Sequence, residues 1–144
     1  MSLFLFNFCK EQENLTSCLL SCRCIGTLLN TALEEIIQRI VNLADISAEA
    51  ASQFSSLLGQ IRARAPDLFR PDSEADALAR YVKRWAKFQE LVVVLDASLR
   101  EIEERWGEGR GRLAQLFPPE QVKQLIRAIF QNTERRAAVL AKIK

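Results

Sequence analysis

Along the chain, apolar positions recur every three or four residues in four stretches, the spacing that stacks side chains on one face of an α-helix. The first stretch runs from about Thr16 to Leu43, with Ile25, Leu29, Leu33, Ile36, Ile40 and Leu43 on one face and Leu28, Ile37 and Val41 widening it. Asp45-Ile46-Ser47 breaks the pattern. Ser47 is a good N-cap, because its hydroxyl can accept from an amide that the next turn leaves unpaired. The second helix then runs to about Ala65 with Ala51, Phe54, Leu57, Leu58 and Ile61 as its stripe, and Pro66 ends it. Residues 66–77, "PDLFRPDSEADA", read as a connector from which Leu68 and Phe69 tuck into the core, with Ser73 as a cap for the next helix.

The third stretch has the strictest period. Leu78, Tyr81, Trp85, Phe88, Val92, Leu95, Leu99, Ile102 and Trp106 alternate spacings of three and four, which predicts one long helix with an unbroken seam. Leu91, Val93 and Val94 lie off that seam, so this helix is expected at the centre of the molecule. The fourth helix is expected from Pro119 to the C-terminus. Val122, Ile126, Ile129, Thr133, Arg136, Leu140 and Ile143 form its seam, and Pro sits well in a first turn. With no strand pattern, the fold class is all-α, an antiparallel bundle of about four main helices. Residues 1–20 are set apart as an N-terminal extension and 21–144 as the bundle domain.

Between the last two helices lies "RWGEGRGRLAQLFPPEQV". A phosphate-cradling loop would end in Gly-Lys-Ser/Thr or follow a strand; this one ends Gly-Arg-Leu and follows a helix. Gly107 is therefore read as the helix stop, where positive φ is needed. Arg110 and Arg112 remain as exposed donors for a partner.

Composition narrows the chemistry. The 144 residues suffice for one core, and a net charge of +2 gives no bulk attraction to nucleic acid or anionic lipid. No run is long and apolar enough for a membrane span, and the apolar start lacks the basic region and cleavage site of a signal peptide. There is no histidine, which removes the commonest general base and metal ligand. Cys9, Cys18, Cys22 and Cys24 lack paired zinc-knuckle spacing and read as reduced cytosolic thiols. Glu101, Glu103 and Glu104 interleave with Arg100 and Arg105, the pattern of a solvated face with helical ion pairs. Neither an enzyme, nor a cofactor, nor a metal is expected.

Charge is uneven. Residues 108–144 carry eight basic and three acidic side chains, so this segment holds +5 and the rest −3. A basic helix terminus accounts for Lys142 and Lys144 but not for Arg127, Arg135 and Arg136. Arginine beside an aromatic residue is enriched where interfaces carry their energy. Arg127, Phe130, Arg135 and Arg136 are therefore the candidate partner-binding residues, with Arg110 and Arg112 at the rim. Arg135 and Arg136 cannot face the same way; one is expected to pair inside the bundle, with a carboxylate of the third helix, and the other to face the partner.

Three blocks, "LLNTALEEIIQRIVNLADIS", "FQELVVVLDASLREIEERWGEGRG" and "VKQLIRAIFQNTERRAAVLAKIK", resemble the C-terminal end of the Zeste White Ten family of kinetochore and vesicle-tethering proteins, over roughly residues 25–144. The family chain is much longer, so a fragment or short isoform is expected. The resemblance implies a helical bundle of the tethering-complex rod type without enzymatic activity. It implies protein partners: Rod and Zwilch at kinetochores, in checkpoint signalling and dynein recruitment, and the neuroblastoma-amplified subunit in a tether that receives Golgi-derived vesicles at the endoplasmic reticulum. It also implies a large solenoid subunit docking on Trp106–Gly111 and Val122–Lys144, and a location in cytoplasm, at mitotic kinetochores and peripherally at the endoplasmic reticulum. The alternative from composition alone is a basic amphipathic helical domain that binds lipid or RNA.

Overall fold

A computed structural model describes the backbone of residues 2–69 and 77–144, and the side chains of 19–69 and 78–144. The described residues are helical in architecture, with no strand among them. Among them the four expected stretches appear as seven α-helices, and an eighth, short one lies between the third and fourth stretches.

Helix α1 spans Ser2–Val41 and so begins well before Thr16, running without a break past residue 20. Its inner face holds Cys22, Leu33, Ile37, Ile40 and Val41. Leu28 does not widen that face: it is 72% exposed. Helix α2, Ala48–Arg64, starts where the sequence places it, with Ser47 Oγ accepting from Ala50 N at 3.2 Å. It buries Ala51 and Leu58, but Leu57 points to solvent. A 3-10 turn, Ala65–Phe69, follows; Phe69 enters the core while Leu68 stays half exposed. Ser73 lies outside the described residues.

The long third helix is three helices: α3, Ala77–Tyr81; α4, Trp85–Asp96; and α5, Leu99–Trp106. Both breaks have a visible cause. At the first, Asn30 Oδ1 on α1 accepts from Arg84 N at 2.9 Å, the amide an unbroken helix would keep for itself, and Glu34 of α1 pairs with the Arg84 guanidinium. At the second, Ser98 and Glu101 form a capping box, with Ser98 N donating to Glu101 Oε2 at 2.7 Å and Glu101 N to Ser98 Oγ at 3.4 Å. Two orphan amides are satisfied there, so a new helix starts at little cost. The seam residues still face inward, because Phe88, Val92, Leu95, Ile102 and Trp106 are all buried.

Helix α4 is central, as its off-seam apolar residues require. It packs against α1, α2 and α3, and buries Leu91 and Val94 as well as its seam. It also buries two charges, Lys87 and Glu90. Lys87 lies 4.6 Å over the Phe117 ring and donates to Gln121 Oε1 at 2.9 Å. Burial pushes its amine below the usual lysine range, against the pull of Glu34.

Helix α6, Arg112–Leu116, returns Leu113 to the core beside Phe117. The expected fourth helix is again divided, into α7, Pro119–Ile129, and α8, Glu134–Lys142. Thr133 is not a seam residue but the N-cap of α8, accepting from Arg136 N at 3.2 Å. No described helix is long and apolar enough to cross a membrane.

Candidate interaction site

The glycine-rich loop is a helix stop. Gly107 takes φ +54° and its N–H closes on Glu103 O, so the left-handed residue falls where α5 must end. Glu108 and Gly109 follow with φ +54° and +85°. Gly111 N then donates to Trp106 O at 2.9 Å, folding the chain back on the end of α5. A Cβ at Gly111 would collide with the Arg105 carbonyl oxygen, so close approach, not positive φ, requires glycine there.

The two loop arginines part company. Arg112, expected from sequence to be free for a partner, is engaged within the fold. Its Nε lies 3.5 Å from Glu90 Oε2, and the other Glu90 oxygen accepts from Arg105 Nη1 at 2.8 Å. Glu90 is 2% exposed, so a carboxylate inside the bundle joins α4 to α5 and α6 through two guanidiniums. Arg110 remains exposed.

At the corner between α7 and α8 the same division holds. Arg136 Nη1 donates to Phe130 O at 2.7 Å and to Arg127 O at 3.3 Å. These carbonyls end α7 and have no helical amide to accept from, so Arg136 caps the preceding helix from the first turn of the next. Of the pair Arg135 and Arg136, the structural one is Arg136. Its partners are backbone carbonyls rather than the carboxylate of the third helix expected from sequence. Arg135 is exposed. Phe130 is half-buried against the core. The Arg127 side chain borders a shallow cleft of about 240 Å³ with Leu43 and Gln124, at a point where Ile46 N donates to Ala128 O at 2.8 Å and ties the α1–α2 corner to α7.

The six candidates thus fall into two groups. Arg127, Phe130, Arg135 and Arg136 share the α7–α8 corner, and Arg110 and Arg112 the loop before α6. Among the described residues no hydrogen bond or ion pair links the groups. The α5 carboxylates are each occupied: Glu101 by its cap, Glu104 by Arg100 at 2.9 Å, and Glu103 by Lys142 of α8. Backbone and side-chain donation from Ser98 holds the Glu101 carboxyl below the usual range. Cys22 is buried and Cys24 exposed, on opposite sides of α1, while the side chains of Cys9 and Cys18 lie outside the described ones.

Residues 10–143 match the family described as the ZW10 C-terminal helical domain. The chain belongs to that family. The match opens within the N-terminal segment set apart from sequence. The mouse "Centromere/kinetochore protein zw10 homolog" is 48% identical over 130 residues, covering 85% of this chain. The Drosophila melanogaster "Centromere/kinetochore protein zw10" is 42% identical over 116 residues and 81% of the chain. The Caenorhabditis elegans homolog is 21% identical over 122 residues. The chain spans only 17% of the mouse protein and 16% of the fly protein.

Glu90 is the residue that sequence reasoning missed. Its signal was there: a charge within a helix that is apolar on every side must be paired to be tolerated.

Proposed function

We propose that this ZW10-type domain is a non-enzymatic protein-interaction module acting at the kinetochore. The observation that carries the reading is its 48% identity to a mammalian protein named for the centromere and kinetochore. The finer reading is that the module docks a large helical-solenoid subunit: Rod, with Zwilch, in checkpoint signalling and dynein recruitment, and the neuroblastoma-amplified subunit in vesicle tethering at the endoplasmic reticulum. Arg127, Arg135 and Phe130 form the docking surface, with Arg110 at its rim. Arg136 and Arg112 support it from behind, because their guanidiniums serve the fold.

Charge reversal tests this. Arg135→Glu and Arg127→Glu should keep the melting temperature and lose co-precipitation with Rod and with the neuroblastoma-amplified subunit. Full binding by both variants would make the basic corner a solvated surface. Binding to anionic vesicles or RNA that collapses with salt would favour the alternative, since phosphate contacts release counterions.

A further inference from the structure

The corner between α4 and α5 is made of residues that a straight helix would accept. No glycine or proline stands between Trp85 and Trp106, and the three-and-four seam passes through the corner without a slip. Ala97, the best helix former of all residues, sits there in an extended conformation at φ −81°, ψ 148°, followed by Ser98 at φ −73°, ψ 161°. The corner before Trp85 is different, because Asn30 and Glu34 of α1 hold it from outside. At Ala97 and Ser98 every hydrogen bond comes from α4, α5 or the corner itself. The bend is therefore kept by a local capping box. Straightening it would place the amides of Ser98, Leu99, Arg100 and Glu101 on the carbonyls of Val94, Leu95, Asp96 and Ala97.

Straightening has one large consequence for packing. Beyond the corner, α5 packs on α6 and α8, and α7 on α8, whereas α6 also packs back on α4 and α7 on α1. A straight α4–α5 would carry 99–144 away from α1–α4 as a unit. Glu90, 2% exposed, would lose Arg105 and Arg112, since a straight helix sets Glu90 and Arg105 about 22 Å apart. Lys87 would lose the Phe117 ring and Gln121. A buried carboxylate without a cation is strongly unfavourable. Whatever fills the vacated site must therefore bring two guanidiniums to Glu90 and an aromatic ring to Lys87. A second copy of residues 99–144 brings all of them in the right places.

We infer that this chain forms a domain-swapped homodimer, in which α4 and α5 fuse through Ala97 and Ser98 and residues 99–144 of each copy pack on α1–α4 of the other. The exchanged contacts are the same in monomer and dimer, so the balance rests on the hinge and on chain concentration. This uses none of the residues of the basic corner and does not depend on which complex the domain joins.

The test refolds the full chain at low and high concentration and measures mass by light scattering behind a sizing column. Dimer should accumulate at high concentration and revert slowly on dilution, because exchange requires 99–144 to detach. In a dimer refolded from equal amounts of carbon-13-labelled and unlabelled chain, isotope-filtered spectra should show contacts between the Phe117 ring of one copy and the Lys87 methylenes of the other. Ser98→Ala removes the cap from the bent form only, and the dimer has two hinges, so its association constant should rise about thirtyfold. Leu99→Pro suits the first position of α5 behind an extended Ser98 but breaks a straight helix, and should abolish the dimer. Arg100→Pro, at an exposed site in the same first turn, should do the same without loss of packing. The inference is overturned by a chain that stays monomeric at high concentration, by a dimer without the Lys87–Phe117 contact between copies, by an unchanged association constant in Ser98→Ala, or by a dimer that persists in either proline variant.

Discussion

The guanidinium of Arg136 donates to the carbonyl of Phe130 at 2.7 Å, so a residue in the first turn of α8 closes the last turn of α7. Thr133, between them, caps α8 in the forward direction through Arg136 N. The corner "FQNTERR" is thus a bidirectional cap, and Arg136 supplies the amide for one helix and the guanidinium for the other. Arg136→Ala should lower stability by about 1–3 kcal/mol, the usual cost of losing a charge-assisted hydrogen bond from partly buried carbonyls. Arg135→Ala should stay within about 0.5 kcal/mol, as surface substitutions do. Chemical denaturation of the two variants side by side checks both; equal losses would mean that Arg135 is also structural.

Gly111 and Gly59 make a contrasting pair. A Cβ at Gly111 has no room beside the Arg105 carbonyl, so Gly111→Ala must displace α6 from the end of α5. A loss of about 3 kcal/mol or more is expected, at the upper end of single substitutions. Gly59 lies within α2 with nothing within 4 Å of a built Cβ. Gly59→Ala should therefore gain about 0.5–1 kcal/mol from helix propensity. Thermal melts of the two single variants, moving in opposite directions, are the readout.

Glu90 holds two arginines from inside the bundle. Arg105 and Arg112 are 38% and 61% exposed at their side chains, so both can rehydrate once the carboxylate is gone. Glu90→Gln should accordingly cost about 1–3 kcal/mol, and not the larger penalty of stranding a fully buried charge. In a double-mutant cycle, coupling of Glu90 to Arg105 should exceed coupling to Arg112, which is farther away and more exposed. The reverse order would show that the loop arginine carries the bridge.

The capping box on α5 predicts an acid dependence. The folded-state carboxyl of Glu101 titrates below its unfolded value because Ser98 donates to it. The unfolded chain then binds more protons as pH falls between the two values. The stabilisation is complete above the unfolded carboxylate range and disappears as pH drops through the folded value. Glu101→Gln should flatten the stability profile in that acid window, and Ser98→Ala should cost about 1 kcal/mol at neutral pH through loss of the N-cap. A Glu101→Gln profile parallel to that of the unmodified chain across the window would exclude the box as the source.

The core seam gives the plainest expectation. Leu95 is 3% exposed at the heart of α4. Leu95→Ala should cost about 2–5 kcal/mol, as buried leucine truncations do. A denaturation midpoint that does not move would place this seam at a surface.

The sequence by itself determined the inward face of the third stretch. The three-and-four spacing of Phe88, Val92, Leu95, Ile102 and Trp106 specifies a face, and burial of a face follows from hydrophobicity wherever the chain bends. It also determined local stops that use one residue's own chemistry, Ser47 as a cap and Gly107 as a left-handed end. The capping box Ser98-Leu99-Arg100-Glu101 was legible in the same way, and the continuous seam masked it, because a corner preserves apolar spacing as well as a straight helix does. Tertiary structure alone decided the rest. The break before Trp85 exists because Asn30, fifty-four positions earlier, takes the Arg84 amide. Arg112 is tied to the fold, though its side chain stays largely exposed, because a buried carboxylate on another helix lies within its reach. Leu28 and Leu57 lie outside although their periodicity places them on apolar stripes, since a helix has more apolar circumference than its neighbours can cover. The choice between Arg135 and Arg136 was open in the sequence because both are arginines on one turn. The uncapped carbonyls of Arg127 and Phe130 settled it, since an unpaired carbonyl at a helix end draws whichever donor the fold brings within about 3 Å, the length of a hydrogen bond.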